Sequence, residues 1–124
     1  MATVEEIKHE IVDYLNIAHG GKYGFYTVDQ FPTAFYQFVE DIGWRRAELE
    51  LKSGTAKVVE FNGAGEGDYS AGINLIFEVN GQLFQVTGQY ESWSGAEWEA
   101  NDLHEVEPVQ VLVTQYQRKD LNGI

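Results

Sequence analysis

The chain contains no cysteine, and that single absence excludes disulfides, zinc–thiolate sites and cysteine nucleophiles together. A reducing, cytoplasmic setting fits such a composition. No apolar run approaches the roughly 18–20 residues that a membrane-crossing helix needs. The opening Met1-Ala2-Thr3-Val4-Glu5-Glu6 has neither a basic nor an apolar stretch of the kind a secretory leader carries, so a soluble chain is expected. Cations are scarce as well: 8 Lys and Arg stand against 20 Asp and Glu, a net charge of -12. A field of that sign repels phosphates, so neither direct nucleic-acid binding nor a membrane surface is expected, and basic partners are favoured.

The cations are also unevenly placed. All of them lie at or before Lys57, or at Arg118 and Lys119. Between Val58 and Gln117 there is no lysine or arginine, against ten carboxylates. Either the excess serves solubility, or it shapes a surface that docks on a basic groove as a nucleic-acid mimic does.

What is present is globular. With 44% apolar and 14% aromatic residues in 124 positions, the chain can build one hydrophobic core, and a single domain over 1–124 is expected. Thr3 and Glu6 form a capping-box pair, and Val4, Ile7, Ile11, Leu15 and Ala18 follow at helical spacing, with Gly20-Gly21 as the stop. A second helix is predicted from about Asp29, as its cap, to Ile42. Pro32 falls in its first turn, and Phe31, Phe35, Phe38, Val39 and Ile42 form a core-facing stripe. Trp44 to Lys52 reads two ways. Its residue types favour helix, while Ala47, Leu49 and Leu51 alternate with Glu48 and Glu50 as in a strand. A short third helix is the expectation.

From Thr55 the pattern turns to strands: Thr55–Phe61, then Gly72–Val79. Asn80-Gly81 predicts a tight type I′ hairpin. That turn sets the register Val79–Gln82, Phe77–Phe84, Leu75–Val86 and Ile73–Gly88, which puts every large apolar partner on one face. A long excursion from Glu91 to Glu107 then leads into a last strand, Val109–Gln117, after Pro108, and a frayed tail over 118–124. The expected fold class is α+β: two or three N-terminal helices packed on one face of a four-stranded antiparallel meander.

Chemistry-bearing motifs are few. The glycine-rich loop Asn62–Asp68 has no lysine and no following helix, so it is not a phosphate loop. Asn62, Glu66 and Asp68 offer oxygens without calcium-loop spacing, and a plain hairpin loop is expected. His9 and His19, ten residues apart, are no metal pair. Ser92 or Ser94 with His104 and Asp102 lacks a nucleophile elbow, and a carboxylate pair drawn from Glu91, Glu97, Glu99 and Asp102 has little chain around it to form a sugar cleft. No enzyme activity, metal or cofactor is expected. The excursion is richer as a binding segment. Its Tyr90, Trp93 and Trp98 are aromatic anchors if they face solvent, and a cover for the core edge if they fold back. The candidate partner-binding residues are accordingly Glu66, Asp68, Tyr90, Glu91, Trp93, Glu97, Trp98, Glu99 and Asp102.

Four stretches, Val59-Glu60-Phe61-Asn62-Gly63-Ala64-Gly65-Glu66-Gly67, Val79-Asn80-Gly81-Gln82-Leu83-Phe84, Gly88 to Trp98, and Glu105-Val106-Glu107-Pro108-Val109, resemble a group of short bacteriophage proteins. The resemblance spans Val58 to Tyr116, about half of the chain, and leaves the helices outside. It brings no established activity or catalytic residue. It implies a phage origin, the cytoplasm of a bacterial host cell, and a small accessory role. The leading expectation is a non-enzymatic protein that binds a basic surface of a host protein, with inhibition of a nuclease or defence complex as one form of that role. The alternatives are an assembly protein of the particle that self-associates through the Val109–Gln117 edge, and a small-molecule or carbohydrate binder using the tryptophan loop. A monomer or small homo-oligomer is expected.

Overall fold

Helix α1 (Val4–Ala18) forms where the capping pair places it. The computed structural model describes residues 1–20, 25–63, 70–112 and 114–116. The Thr3 hydroxyl accepts from the Glu6 N–H at 3.1 Å, and the Glu6 carboxylate accepts from the Thr3 N–H at 3.2 Å. Ile7, Ile11, Val12 and Leu15 are buried, while Ala18 is exposed, so the apolar stripe ends one turn earlier than its spacing suggests. Gly20, with φ 55°, supplies the left-handed residue after the helix.

The Glu6 carboxyl is held below its ordinary value of 4.5, first by the Thr3 N–H and next by the Thr3 hydroxyl. A carboxyl depressed in the folded chain contributes stability above its unfolded value, and that contribution is lost as pH falls through the folded value. Glu6→Gln is therefore expected to flatten the acid limb of a Tm–pH profile from about pH 5 downward. An acid limb as steep as in the parent chain would show that the charge of Glu6 contributes nothing to folding.

The second helix is built in three pieces. A 3₁₀ turn, Val28–Gln30, is closed by Thr27 and Gln30 rather than capped by Asp29. Helix α2 (Phe31–Val39) buries Phe31, Ala34, Phe35, Phe38 and Val39, and has Pro32 in its first turn. It then widens into a π-helical turn, Glu40–Trp44. The buried Asp41 carboxylate accepts from the Gln37 amide at 3.0 Å and meets His19 Nε2 at 2.9 Å.

No third helix follows, so the expectation for Trp44 to Lys52 is corrected. Arg46 takes φ 56° and turns the chain, and Ala47 N–H closes on the Asp41 carbonyl at 3.0 Å. Strand β1 (Leu49–Leu51) comes next, with Glu50 exposed between two buried leucines. Only an extended backbone sends Leu49 and Leu51, two positions apart, to the same side. Burying both against the core outweighs the helix propensity of the segment.

The sheet continues through β2 (Gly54–Asn62), β3 (Ser70–Val79), β4 (Gln82–Glu91), β5 (Gly95–Trp98) and β6 (His104–Val106). All pairings are antiparallel in the order β1-β2-β3-β4-β5, and β6 also pairs β4. Asn80 (φ 48°) and Gly81 (φ 84°) make the predicted turn, and the four predicted cross-strand pairs of β3 and β4 all occur. A bulge between Val58 and Glu60 leaves Val59 exposed.

The architecture is thus α+β with α1 and α2 on one face, but the sheet has six strands where four were expected. The excursion after Glu91 supplies the difference. It is not a loop, because β5 pairs Gly88–Glu91 and β6 pairs Leu83–Gln85, with a 3₁₀ turn at Ala100–Asp102 between them. Together they form one broken strand beside β4. That place being taken, the expected last strand does not form. The described residues of 109–117 have no regular structure, and Val109, Val111 and Leu112 lie exposed. Residues 118–124 lie outside the described residues.

The core is a stack of rings between helix and sheet. Phe38 meets Phe77 edge-on at 5.1 Å and Phe35 at 5.7 Å, and Phe77 stacks on Phe84 at 5.6 Å. The sheet curls around the helices far enough for Phe61 on β2 to stack on Trp98 on β5 at 6.3 Å, across two intervening strands. The Gln82 side chain, buried beside the tight turn, accepts from Ala2 N–H at 2.8 Å and donates to the Ala2 carbonyl at 2.9 Å.

Candidate functional site

The excursion becomes a two-stranded ribbon, and the strand period sorts the candidate residues by side. The β4–β5 turn spans Ser92–Ser94. It is closed by Ser94 N–H on the Glu91 carbonyl at 3.2 Å and by Gly95 at φ 82°, a three-residue hairpin loop ending in a left-handed glycine. Register then pairs Gln89 with Glu97 and Glu91 with Gly95, while Tyr90 faces Ala96 and Gly88 faces Trp98. Glu99 N–H donates to the Thr87 carbonyl at 2.9 Å, which carries the ladder one pair further.

Glu91, Glu97 and Glu99 therefore share the outer side of the ribbon, turned away from the helices. Diagonal neighbours on such a surface lie about 7–8 Å apart, close enough for like charges to repel. Trp93 sits at the tip and is 66% exposed, while Trp98 on the inner side is 8% exposed. Trp98 meets the Phe35 ring edge-on at 6.0 Å, so it belongs to the core rather than to a surface. Tyr90 shares that inner side, is half-buried, and packs against the core. Asp102 is exposed on the 3₁₀ turn. Glu66 and Asp68 lie outside the described residues.

The tryptophan segment therefore divides: Trp98 covers the core, and Trp93 faces solvent. Gly95 after Ser-Trp-Ser was the signal for this hairpin, although the segment lacks the Asn-Gly dipeptide that marks the neighbouring turn.

His104 is held by the sheet rather than set beside a serine. Its Nδ1 lies 2.6 Å from the Asp102 carbonyl oxygen and its Nε2 lies 3.2 Å from Gln85 Oε1. Asp102 Oδ2 is 4.0 Å from Nδ1. On the helical side, Glu10 accepts from the Ser53 N–H at 2.7 Å and from its hydroxyl at 2.6 Å, which ties α1 to the β1–β2 turn. A shallow groove there is lined by Glu6, His9, Glu10, Asp13, Lys52 and Ser53. The Tyr14 phenol beside it is pushed up by burial and then by the charges of Asp41 and Glu50.

One surface feature escapes the sequence reading. Trp44 is half-exposed and lies edge-on to Phe61 at 4.9 Å, and exposed Arg45 and Arg46 follow it. Phe25 and Tyr36 are exposed as well. Trp44, which opens the segment expected to be a short helix, packs instead against Phe61 near the end of β2.

Among the described residues, no helix is long and apolar enough to cross a membrane. In comparisons with known proteins, no family model, curated protein or solved structure matches the chain.

Proposed function

We propose that this chain is a non-enzymatic accessory protein that docks on a basic surface of a bacterial host protein, as a nucleic-acid mimic inhibiting a nuclease or defence complex would. The observation that carries the reading is the β4–β5 ribbon. It places three glutamates on one outward side and an exposed tryptophan at its tip, within a stretch from Val58 to Gln117 that has no lysine or arginine. Cations of a partner relieve the repulsion among Glu91, Glu97 and Glu99 and speed encounter. Trp93 then supplies contact area at low entropic cost. The resemblance to short bacteriophage proteins supports a bacterial host as the setting.

The test is capture from bacterial lysate at low and high salt, followed by association rates on the captured protein. The Glu97→Lys, Glu99→Lys double variant is expected to slow association roughly tenfold at low salt. Trp93→Ala should act mainly on dissociation, weakening binding by about 2 kcal/mol. Capture that neither salt nor these changes diminish would remove the ribbon from the interface.

A further inference from the structure

We propose that His104, Gln85 and Asn74 form a proton-coupled switch on the outer side of the sheet, in which both side-chain amides turn over when His104 gains or loses a proton. The three residues stand on three strands. His104 on β6 faces Gln85 on β4, and Gln85 lies diagonally from Asn74 on β3. Their strand neighbours Ile73, Leu75, Phe84, Val86 and Leu103 are buried in the core, so the three polar side chains point away from the helices. All three are half-buried.

Hydrogen-bond chemistry leaves the ring one free choice. Nδ1 lies 2.6 Å from the Asp102 carbonyl oxygen, which only accepts, so Nδ1 carries a hydrogen in either charge state. The proton gained or lost is therefore the one on Nε2, which lies 3.2 Å from Gln85 Oε1. In the arrangement seen, that oxygen accepts from a protonated Nε2. The Gln85 amino group then donates to Asn74 Oδ1 at 2.7 Å, and every link is satisfied with His104 charged. A bare Nε2 needs a donor instead. Half a turn of the Gln85 amide offers it the amino group and brings Oε1 to Asn74, whose own amide turns to donate. Oxygen and nitrogen exchange places while the strands stay where they are.

Few charged groups surround the ring. From the turn at Ala100–Asp102, the Asp102 carboxylate lies 4.0 Å from Nδ1. On β4 the outward neighbours Leu83 and Thr87 carry no charge. Across β4, Glu78 on β3 and Glu60 on β2 share the outer side, with Lys57 opposite Glu78. On β6 itself, Glu105 turns the other way and accepts from the Gln82 amide at 3.3 Å. A proton on His104 therefore puts one positive charge into the stretch from Val58 to Gln117, which has no lysine or arginine, on the side that carries Glu91, Glu97 and Glu99. Acid then weakens the field that a basic partner meets. That consequence rests on the docking reading, and the switch itself does not.

Nitrogen-resolved NMR on the free, isotope-labelled chain tests the switch between about pH 5 and 8, the range in which imidazoles exchange protons. The ring pattern lost in His104→Phe assigns His104 among the three histidines. At the alkaline end the ring should hold its hydrogen on Nδ1 and leave Nε2 bare, the reverse of the form that histidine favours in water. Cross-peaks from the Gln85 amino protons should move from the Asn74 β-protons in acid to the His104 ring C–H protons in alkali, with one midpoint for all three residues. In Gln85→Leu the ring still titrates, while the response of the Asn74 amide to pH shrinks. A hydrogen on Nε2 at the alkaline end, Gln85 cross-peaks that stay with Asn74 throughout, or an Asn74 response undiminished in Gln85→Leu overturns the proposal. All of these are read without a partner, so they are indifferent to whether the ribbon docks.

Discussion

Phe77→Ala is expected to lower the free energy of unfolding by about 4 kcal/mol, a large share of the roughly 5–15 kcal/mol that holds a domain together. Phe77 is fully buried, and its ring bridges the layers, edge-on to Phe38 of α2 and stacked on Phe84 of β4. Truncation removes the transfer free energy of the ring and leaves a void that two rigid neighbours cannot close. The loss should appear as a lower urea midpoint with an unchanged slope. A loss under about 1 kcal/mol would mean that the helices do not pack on the face carrying Phe77.

Gly88→Ala is expected to cost about 3 kcal/mol, for a different reason. Gly88 lies opposite Trp98 in the β4–β5 ladder. A Cβ there would press into the Glu97 carbonyl oxygen and lie 2.9 Å from the Trp98 Cα. Both are backbone atoms, so no side-chain rotation relieves the clash, and β5 has to move away from β4. Trp98 is the buried one of the three tryptophans. Its release should shift fluorescence to the red along with the loss of stability. Gly72→Ala serves as the control, since a Cβ there meets nothing within 4 Å, and it should stay within about 0.5 kcal/mol of the parent. Equal effects at the two glycines would show that the close approach of Trp98 to β4 is not what Gly88 provides.

The parts of the fold legible in the sequence are those where local chemistry and tertiary demand agree. Thr3 and Glu6 announce α1, and Asn80-Gly81 sets the register of β3 and β4 residue by residue. Where the two conflict, the sequence misleads. Glu48, Leu49, Glu50 and Leu51 are good helix formers, yet the core takes both leucines from a strand. The excursion after Glu91 hides a strand because Ala100 and Leu103 break its alternation, entering the core through a 3₁₀ turn. The valines after Pro108 carry the strongest strand pattern near the C-terminus, but the broken strand before them already occupies the edge of β4. Propensity does not reveal that a place is taken.

The candidate site was legible in composition and not in geometry. The missing cations between Val58 and Gln117 mark the acidic half from sequence alone. Knowing which carboxylates share a side requires the register of β4 on β5, which separates Glu91, Glu97 and Glu99 from Tyr90 and Trp98. Trp93 and Trp98, five residues apart, look equivalent until the turn at Ser92–Ser94 divides them.

The pair of hydrogen bonds between Ala2 and Gln82 has a bearing on how the chain is made. Helix α1 packs on α2 and β1, close to it in sequence, and the Ala2–Gln82 pair adds a tie to a turn 80 residues away. During synthesis α2 and β1 are made before the β3–β4 turn. A fifteen-residue helix is marginal alone in water, and its capping box adds on the order of 1 kcal/mol. The latch to Gln82 then marks the point in synthesis at which the β3–β4 hairpin can join the start of α1.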